Sequence, residues 1–146
     1  MTREGAVILL SGGLDSTVSL AWAVKHLPGK HQALSFRYGQ SHLKELQSAE
    51  KVASHYGIPW KALNVNLDHI KPGEVGALMW RSQEFSPQDA QRTVKDQHGH
   101  DVSATFVPGR NIIFLAYAGS LCDQEGLGNI VLGVNHMDFS GLRQIA

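Results

Sequence analysis

The sequence predicts an α/β fold, an open parallel sheet with helices on both faces. Three observations predict it. The run Ala6-Val7-Ile8-Leu9-Leu10 is continuously apolar, as a central parallel strand buried on both faces must be. Strand-like and helix-like segments then alternate in the order β-α-β-α-β, which demands crossover connections and a parallel sheet. Between the first strand and the first helix stands Ser11-Gly12-Gly13-Leu14-Asp15-Ser16-Thr17, a paired-glycine turn into a helix start.

The first helix is expected over Ser16 to Leu27, with Leu20, Val24 and Leu27 on one face and Pro28-Gly29 as its stop. Gln32 to Phe36 reads as the second strand. Ser41 to Tyr56 reads as the second helix, with Leu46, Ala49, Ala53 and Tyr56 on its apolar face and Gly57 and Pro59 beyond it. Trp60 to Leu67 alternates as a third strand. From Leu67 to Val107 periodicity is lost, although Ser86-Pro87-Gln88-Asp89 suits the start of a short polar helix. Asn111 to Cys122 is apolar almost all round and predicts a helix buried within the domain or against a partner. Ile130 to Val134 completes the sheet.

A chain of 146 residues supports one core, so residues 1–146 are read as a single domain. Thirteen basic and thirteen acidic side chains give a formal net charge of zero, which supplies no general field for nucleic acid. The single cysteine, Cys122, excludes a disulfide framework and a Cys-rich zinc site built within this chain. On an apolar helix it reads as a small buried hydrophobe. The apolar run behind Arg3 and Glu4 is too short for a membrane span or a signal-peptide core, so a cytoplasmic location is expected.

The Gly-rich turn carries the chemistry. Backbone N–H groups and the positive helix end converge there, which suits phosphate, and Gly12 and Gly13 permit close approach of an anion. Ser11, Ser16 and Thr17 add hydroxyl donors, and Asp15 can orient a metal ion or an amine. The plainer reading is a strand-to-helix turn with Asp15 and Ser16 as N-caps. No lysine lies between Met1 and Val24, so this is not the loop of pattern G-x-x-x-x-G-K-[ST].

The pattern S-G-G-x-D-S resembles the pyrophosphate loop of the N-type ATP pyrophosphatases, for which attack at the α-phosphate with departure of pyrophosphate is implied. Three further segments fall at strand ends or a helix start: Phe36-Arg37-Tyr38-Gly39-Gln40-Ser41-His42, Val107-Pro108-Gly109-Arg110-Asn111, and Gly133-Val134-Asn135-His136-Met137-Asp138-Phe139-Ser140-Gly141. Taken together, the four segments resemble the 7-cyano-7-deazaguanine synthase family over nearly the whole chain. The resemblance implies a Rossmann-like fold of the adenine nucleotide alpha hydrolase (HUP) type. It also implies an ATP-dependent carbon–nitrogen ligase that converts 7-carboxy-7-deazaguanine and ammonia to 7-cyano-7-deazaguanine, in queuosine biosynthesis and so in a tRNA modification pathway. ATP and Mg2+ are the implied cofactors.

On this resemblance Leu10, Ser11, Gly12, Gly13, Leu14, Asp15, Ser16, Thr17, Val18, Ser19 and Leu20 hold the nucleotide. Ser11, Asp15, Ser16 and Arg110 serve the chemistry, Arg110 through its fork of donors. Tyr38, Gln40, His42, Asn135, Asp138 and Ser140 face the deazaguanine. Each has a quieter competitor: Arg110 in a surface ion pair, Tyr38 and Phe139 in packing, His42 as an exposed polar residue. His98 and His100 lack a partner cysteine and are not expected to bind metal. The partners implied are small molecules, with no direct nucleic acid, no membrane, and a homodimer allowed.

Two departures from the family pattern stand out. Arg37 occupies a position that is usually Asp, and Ser140-Gly141 is followed by Leu142-Arg143-Gln144-Ile145-Ala146 in place of a segment leading to four zinc-binding cysteines. Zinc is therefore expected only in full-length members, and this chain is expected to be a fragment or short form. The alternatives left open are a nucleotide-binding remnant without full activity, and another enzyme of the same loop class acting on tRNA.

Overall fold

The computed structural model describes residues 2–38, 43–66, 93–95, 101–103 and 110–133. Along them the elements are β1 (Ala6–Leu9), α1 (Leu14–His26), β2 (His31–Arg37), α2 (Leu43–His55), β3 (Trp60–Asn64), β4 (Thr93–Lys95), β5 (Asp101–Ser103), α3 (Arg110–Glu125) and β6 (Asn129–Val131). Four strands form one parallel sheet in the order β3-β2-β1-β6. Strand order reverses between β1 and β6, so the carboxyl ends of those two strands frame the expected crevice.

Alternation along β1 sends its side chains to two cores. Ala6, Ile8 and Leu10 pack with Ala33, with Leu20 and Ala23 of α1, and with Ala49 and Ala53 of α2. Val7 and Leu9 pack with Leu34, Phe36 and the α3 residues Phe114, Ala118, Leu121 and Cys122. Helices thus cover both faces, as expected. Ile8, Leu20 and Leu34 are fully buried, each worth about 1.5–3 kcal/mol relative to exposure. The ion pairs Arg3–Asp123 and Lys61–Glu125 lie on the surface and contribute little beside this burial.

Several boundaries and faces differ from the sequence expectation. Helix α1 begins at Leu14, before Ser16, and its buried stripe is Ser16, Leu20 and Ala23. Val24 lies one residue, or about 100° of helix, past Ala23 and is 37% exposed. Tyr56 falls just beyond α2 and is equally exposed, whereas Leu46, Ala49 and Ala53 are buried as expected. Helix α3 is buried on one side only: Ile112 is 44% and Tyr117 42% exposed. An apolar sequence gave no polar stripe from which to read which side faces the sheet. β3 ends at Asn64, before Val65 and Asn66, and β6 at Val131, before Leu132 and Gly133; the expected strand ends Leu67 and Val134 lie outside the described residues. In the stretch read as aperiodic, β4 and β5 pair antiparallel, Val94 opposite Val102. Strands of three residues are too short to show a period of two. The helix start suggested at Ser86 lies outside the described residues.

Cys122 is buried as expected, its Sγ donating to Asn129 O at 3.3 Å. Burial pushes its thiol above the ordinary value, opposed by a backbone hydrogen bond from Val7. The native protein should therefore alkylate at least about tenfold more slowly with iodoacetamide than the urea-unfolded chain, because the thiolate is the reacting form. Equal labelling rates would contradict this packing of α3.

Candidate functional site

β1 ends at Leu9 and α1 starts at Leu14, so the intervening turn must change direction at the sheet's carboxyl edge. Gly13 is the N-cap, with φ −83° and ψ 172°, and no side chain caps the helix. Asp15 and Ser16 therefore sit inside the first turn and are not caps. The N–H groups of a first helical turn have no acceptor within the helix, and the cap residue Gly13 has no side chain to accept one, a local arrangement that suits an anion.

Ser16 is the hub of the turn. Its Oγ donates to Gly13 O at 3.1 Å and accepts from Ser11 N–H at 3.1 Å. Ser11 Oγ lies 3.0 Å from it, and because a hydroxyl has one proton to give, Ser11 is the donor in that contact. Ser11 Oγ in turn accepts the Gly13 N–H at 3.2 Å. Thr17 Oγ1 donates back to Gly13 O at 2.8 Å and Ser19 Oγ to Asp15 O at 2.9 Å. Ser16 is 5% exposed and its hydroxyl is engaged within the turn. It shapes the site, while Ser11, Gly13 and Asp15 are exposed at its mouth.

The paired glycines have different reasons. Gly12 has φ +89°, and a Cβ there would meet the Glu45 carbonyl oxygen of α2 at 2.2 Å. Its requirement is internal and owes nothing to a ligand. Gly13 has an ordinary extended backbone, and a Cβ would meet only Ser11 Oγ at 3.4 Å. Gly133, past β6, lies so close to α1 that a Cβ would be 2.7 Å from both Asp15 O and Ser19 Oγ. Of the expected nucleotide contacts, Leu20 is fully buried in the core and its side chain supplies packing only. Leu14 and Val18 are 78% and 58% exposed on the outer side of α1.

A cleft of about 180 Å³ opens beside the turn, lined by Leu9, Leu10, Ser11, Ser16, Leu34, Ser35, Phe36, Tyr38, Glu45, Leu46, Arg110, Asn111, Phe114, Leu132 and Gly133. Small-molecule sites usually enclose about 300–1,000 Å³, so these residues form part of the wall a nucleotide would need. Arg110, in the first turn of α3, is half-buried. Its Nη1 donates to Tyr38 Oη at 3.4 Å, and its Nε is buried with no hydrogen-bond partner among the described residues. It makes none of the surface ion pairs found among those residues. A buried guanidinium N–H without an acceptor is costly, and an anionic ligand in the cleft would remove the cost. Tyr38 both lines the cleft and packs, its ring 5.4 Å from Phe114, which stacks on Phe36 at 4.1 Å and 5°.

The structure brings Leu10, Ser11, Ser16, Tyr38 and Arg110 to one cleft. Gln40, His42, Asn135, Asp138 and Ser140, with His98, His100 and Phe139, lie outside the described residues. Sequence reasoning missed Ser35, Glu45 and Asn111. Ser35 had a signal, being the polar residue within the apolar run Ala33 to Phe36. Its buried Oγ donates to Leu10 O at 2.5 Å and accepts from Trp60 Nε1 at 2.8 Å. Arg37, beside this strand end, is exposed.

Sheet order, strand-to-helix turn and cleft define an α/β protein with a parallel sheet and a cleft beside the start of its first helix. Residues 5–143 match the family described as queuosine biosynthesis protein QueC, and the chain belongs to that family. It is 37% identical over 142 residues to the 7-cyano-7-deazaguanine synthase of Lysinibacillus sphaericus, covering 97% of this chain and 59% of that protein. It is 42% identical to the enzyme of that name from Leptospira interrogans, over 96% of this chain and 53% of the other. The chain thus spans little more than half the length of these curated relatives. An NMN synthetase from Francisella tularensis shares the fold at a TM-score of 0.50 and 17% identity, over 86% of this chain and 43% of that one. No helix among the described residues is long and apolar enough to cross a membrane.

Gly12→Ala should lower the unfolding free energy by at least about 2 kcal/mol, through backbone strain and the clash with α2, whereas Gly13→Ala should cost within about 1 kcal/mol. Chemical denaturation of the two variants checks this. Equal losses would show that the turn is not packed on α2 as described.

Proposed function

We propose that this chain acts in the ATP-dependent conversion of 7-carboxy-7-deazaguanine and ammonia to 7-cyano-7-deazaguanine, within queuosine biosynthesis. The observation that carries the reading is the start of α1, reaching the cleft at Ser16, across from the buried Nε of Arg110, which has no hydrogen-bond partner among the described residues. Family membership supplies the reaction. A substrate carboxylate oxygen attacks the α-phosphorus of ATP and pyrophosphate leaves. Ammonia then attacks the acyl carbon, releasing AMP and giving an amide. The amide oxygen is activated on a second ATP, again with loss of pyrophosphate, and departure of AMP with two protons leaves the nitrile.

Such chemistry asks the protein to position reactants and stabilise phosphate charge, not to supply a strong nucleophile. In this reading the N–H groups of the first turn of α1 hold the phosphates, Ser11 and Thr17 keep the turn in shape through their bonds to Gly13, and Arg110 stabilises the charge that grows on the phosphates. Asp15, exposed at the mouth, would hold Mg2+, which supplies charge neutralisation when bound. Ser16 keeps the turn in shape. Tyr38, Gln40, His42, Asn135, Asp138 and Ser140 are the proposed deazaguanine contacts. The substrates are small molecules and the proposed location is cytoplasmic.

Titration with Mg-ATP tests the site. Gly13→Val should abolish binding while the protein stays folded, since its backbone accepts a side chain whose bulk then fills the phosphate position. Equal affinities would place the nucleotide elsewhere. Arg110→Lys should reduce the rate of pyrophosphate release dependent on 7-carboxy-7-deazaguanine by about 100-fold and change ATP affinity far less, because Lys lacks the planar fork. An unchanged rate removes Arg110 from the chemistry.

A further inference from the structure

The turn does not rest on β1 and α1 alone. Gly12 lies against the first two turns of α2, its absent Cβ facing Glu45 O at 2.2 Å and Ala49 N at 3.2 Å. Ser48, half-buried on α2, donates its Oγ proton to Gly12 O at 3.2 Å. Across the same trans peptide the Gly13 N–H points the opposite way and is accepted by Ser11 Oγ. One peptide plane is therefore held at both ends, by α2 on its carbonyl and by the serine pair on its N–H. That plane sets the direction in which the chain enters α1 at the N-cap. Without the Ser48 contact the carbonyl end of that plane loses its hydrogen bond, and the flanking glycine torsions, whose range is wide, let it tilt about the end still held by Ser11.

We propose that Ser48 is a positioning residue for the phosphate site: from α2 it fixes the Gly12–Gly13 peptide and so pre-orients the N–H groups offered to the anion. It touches no phosphate itself. The inference rests on the reading of the turn as an ATP site, and it makes α2 a third element on which ligand affinity depends.

A merely structural role predicts little for Ser48→Ala, because alanine is the better helix former and the site is only half-buried. The positioning role predicts a weaker site in an equally stable protein. Mg-ATP affinity of S48A should fall by about fivefold, the worth of one ordinary hydrogen bond, with an unfolding midpoint no lower than wild type. Ser48→Thr, which keeps the hydroxyl, should restore most of the affinity. In the ligand-free protein, amide exchange at Gly13 should be faster in S48A than in wild type and in Ser48→Thr. Wild-type affinity in S48A, or unchanged Gly13 exchange, overturns the inference while leaving the ATP site intact. Failure of wild type itself to bind Mg-ATP overturns the functional reading and this inference with it.

Discussion

Burial of β1 on both faces is the constraint on which the site depends. Ala6, Val7 and Ile8 have no exposed surface, and the strand is paired along both edges, to β2 and to β6. A strand so enclosed cannot slide or tilt without opening two cores at once, and a one-residue slip would exchange the side chains of those cores. Its carboxyl end is therefore a fixed point. Leu10 continues the arrangement, its N–H on Leu34 O and its carbonyl on Ser35 Oγ, so that the turn leaves the sheet from a defined direction.

From that fixed point the proposed anion site is made almost wholly of backbone. The hydroxyls of Ser11 and Ser16 are turned inward on the peptide groups of Ser11 and Gly13, so the exposed surface of the turn is left to N–H groups and the helix end. Preorganised dipoles of this kind need no rearrangement when phosphate charge arrives or grows, which is where their catalytic value lies. Arg110 comes from the opposite face of the sheet, at the start of α3. The cleft thus closes only when helices on both sides are packed, which ties the site to the whole sheet and not to one motif.

Much of this was legible in the sequence, for physical reasons. A five-residue apolar run followed by Ser11-Gly12-Gly13 allows few local structures, and three of the residues it implicated, Leu10, Ser11 and Ser16, do meet Tyr38 and Arg110 at one cleft. What the sequence concealed was direction. It did not distinguish a glycine needed for its own φ, Gly12, from one whose backbone is ordinary, Gly13. It did not show that the Ser16 hydroxyl points into the turn, or that Ala23 and not Val24 joins Leu20 in the core. Nor did it reveal the supports, since Ser35, Ser48 and Glu45 act through contacts with residues more than twenty positions away. In α3 uniform apolarity hid the orientation, because a helix without a polar stripe carries no record of which side meets the sheet.

The central claim is that the start of α1, completed by Arg110, is a phosphate site. The most direct measurement is an NMR titration of isotope-labelled protein with magnesium pyrophosphate, which presents the phosphate chemistry without base or sugar. The account predicts that the largest shifts fall on the backbone amides from Gly13 to Thr17 and on the Arg110 Nε–H resonance, as that buried donor gains its acceptor. Shifts confined to other surfaces, or an Arg110 Nε–H signal that does not move while the ligand binds, would contradict it.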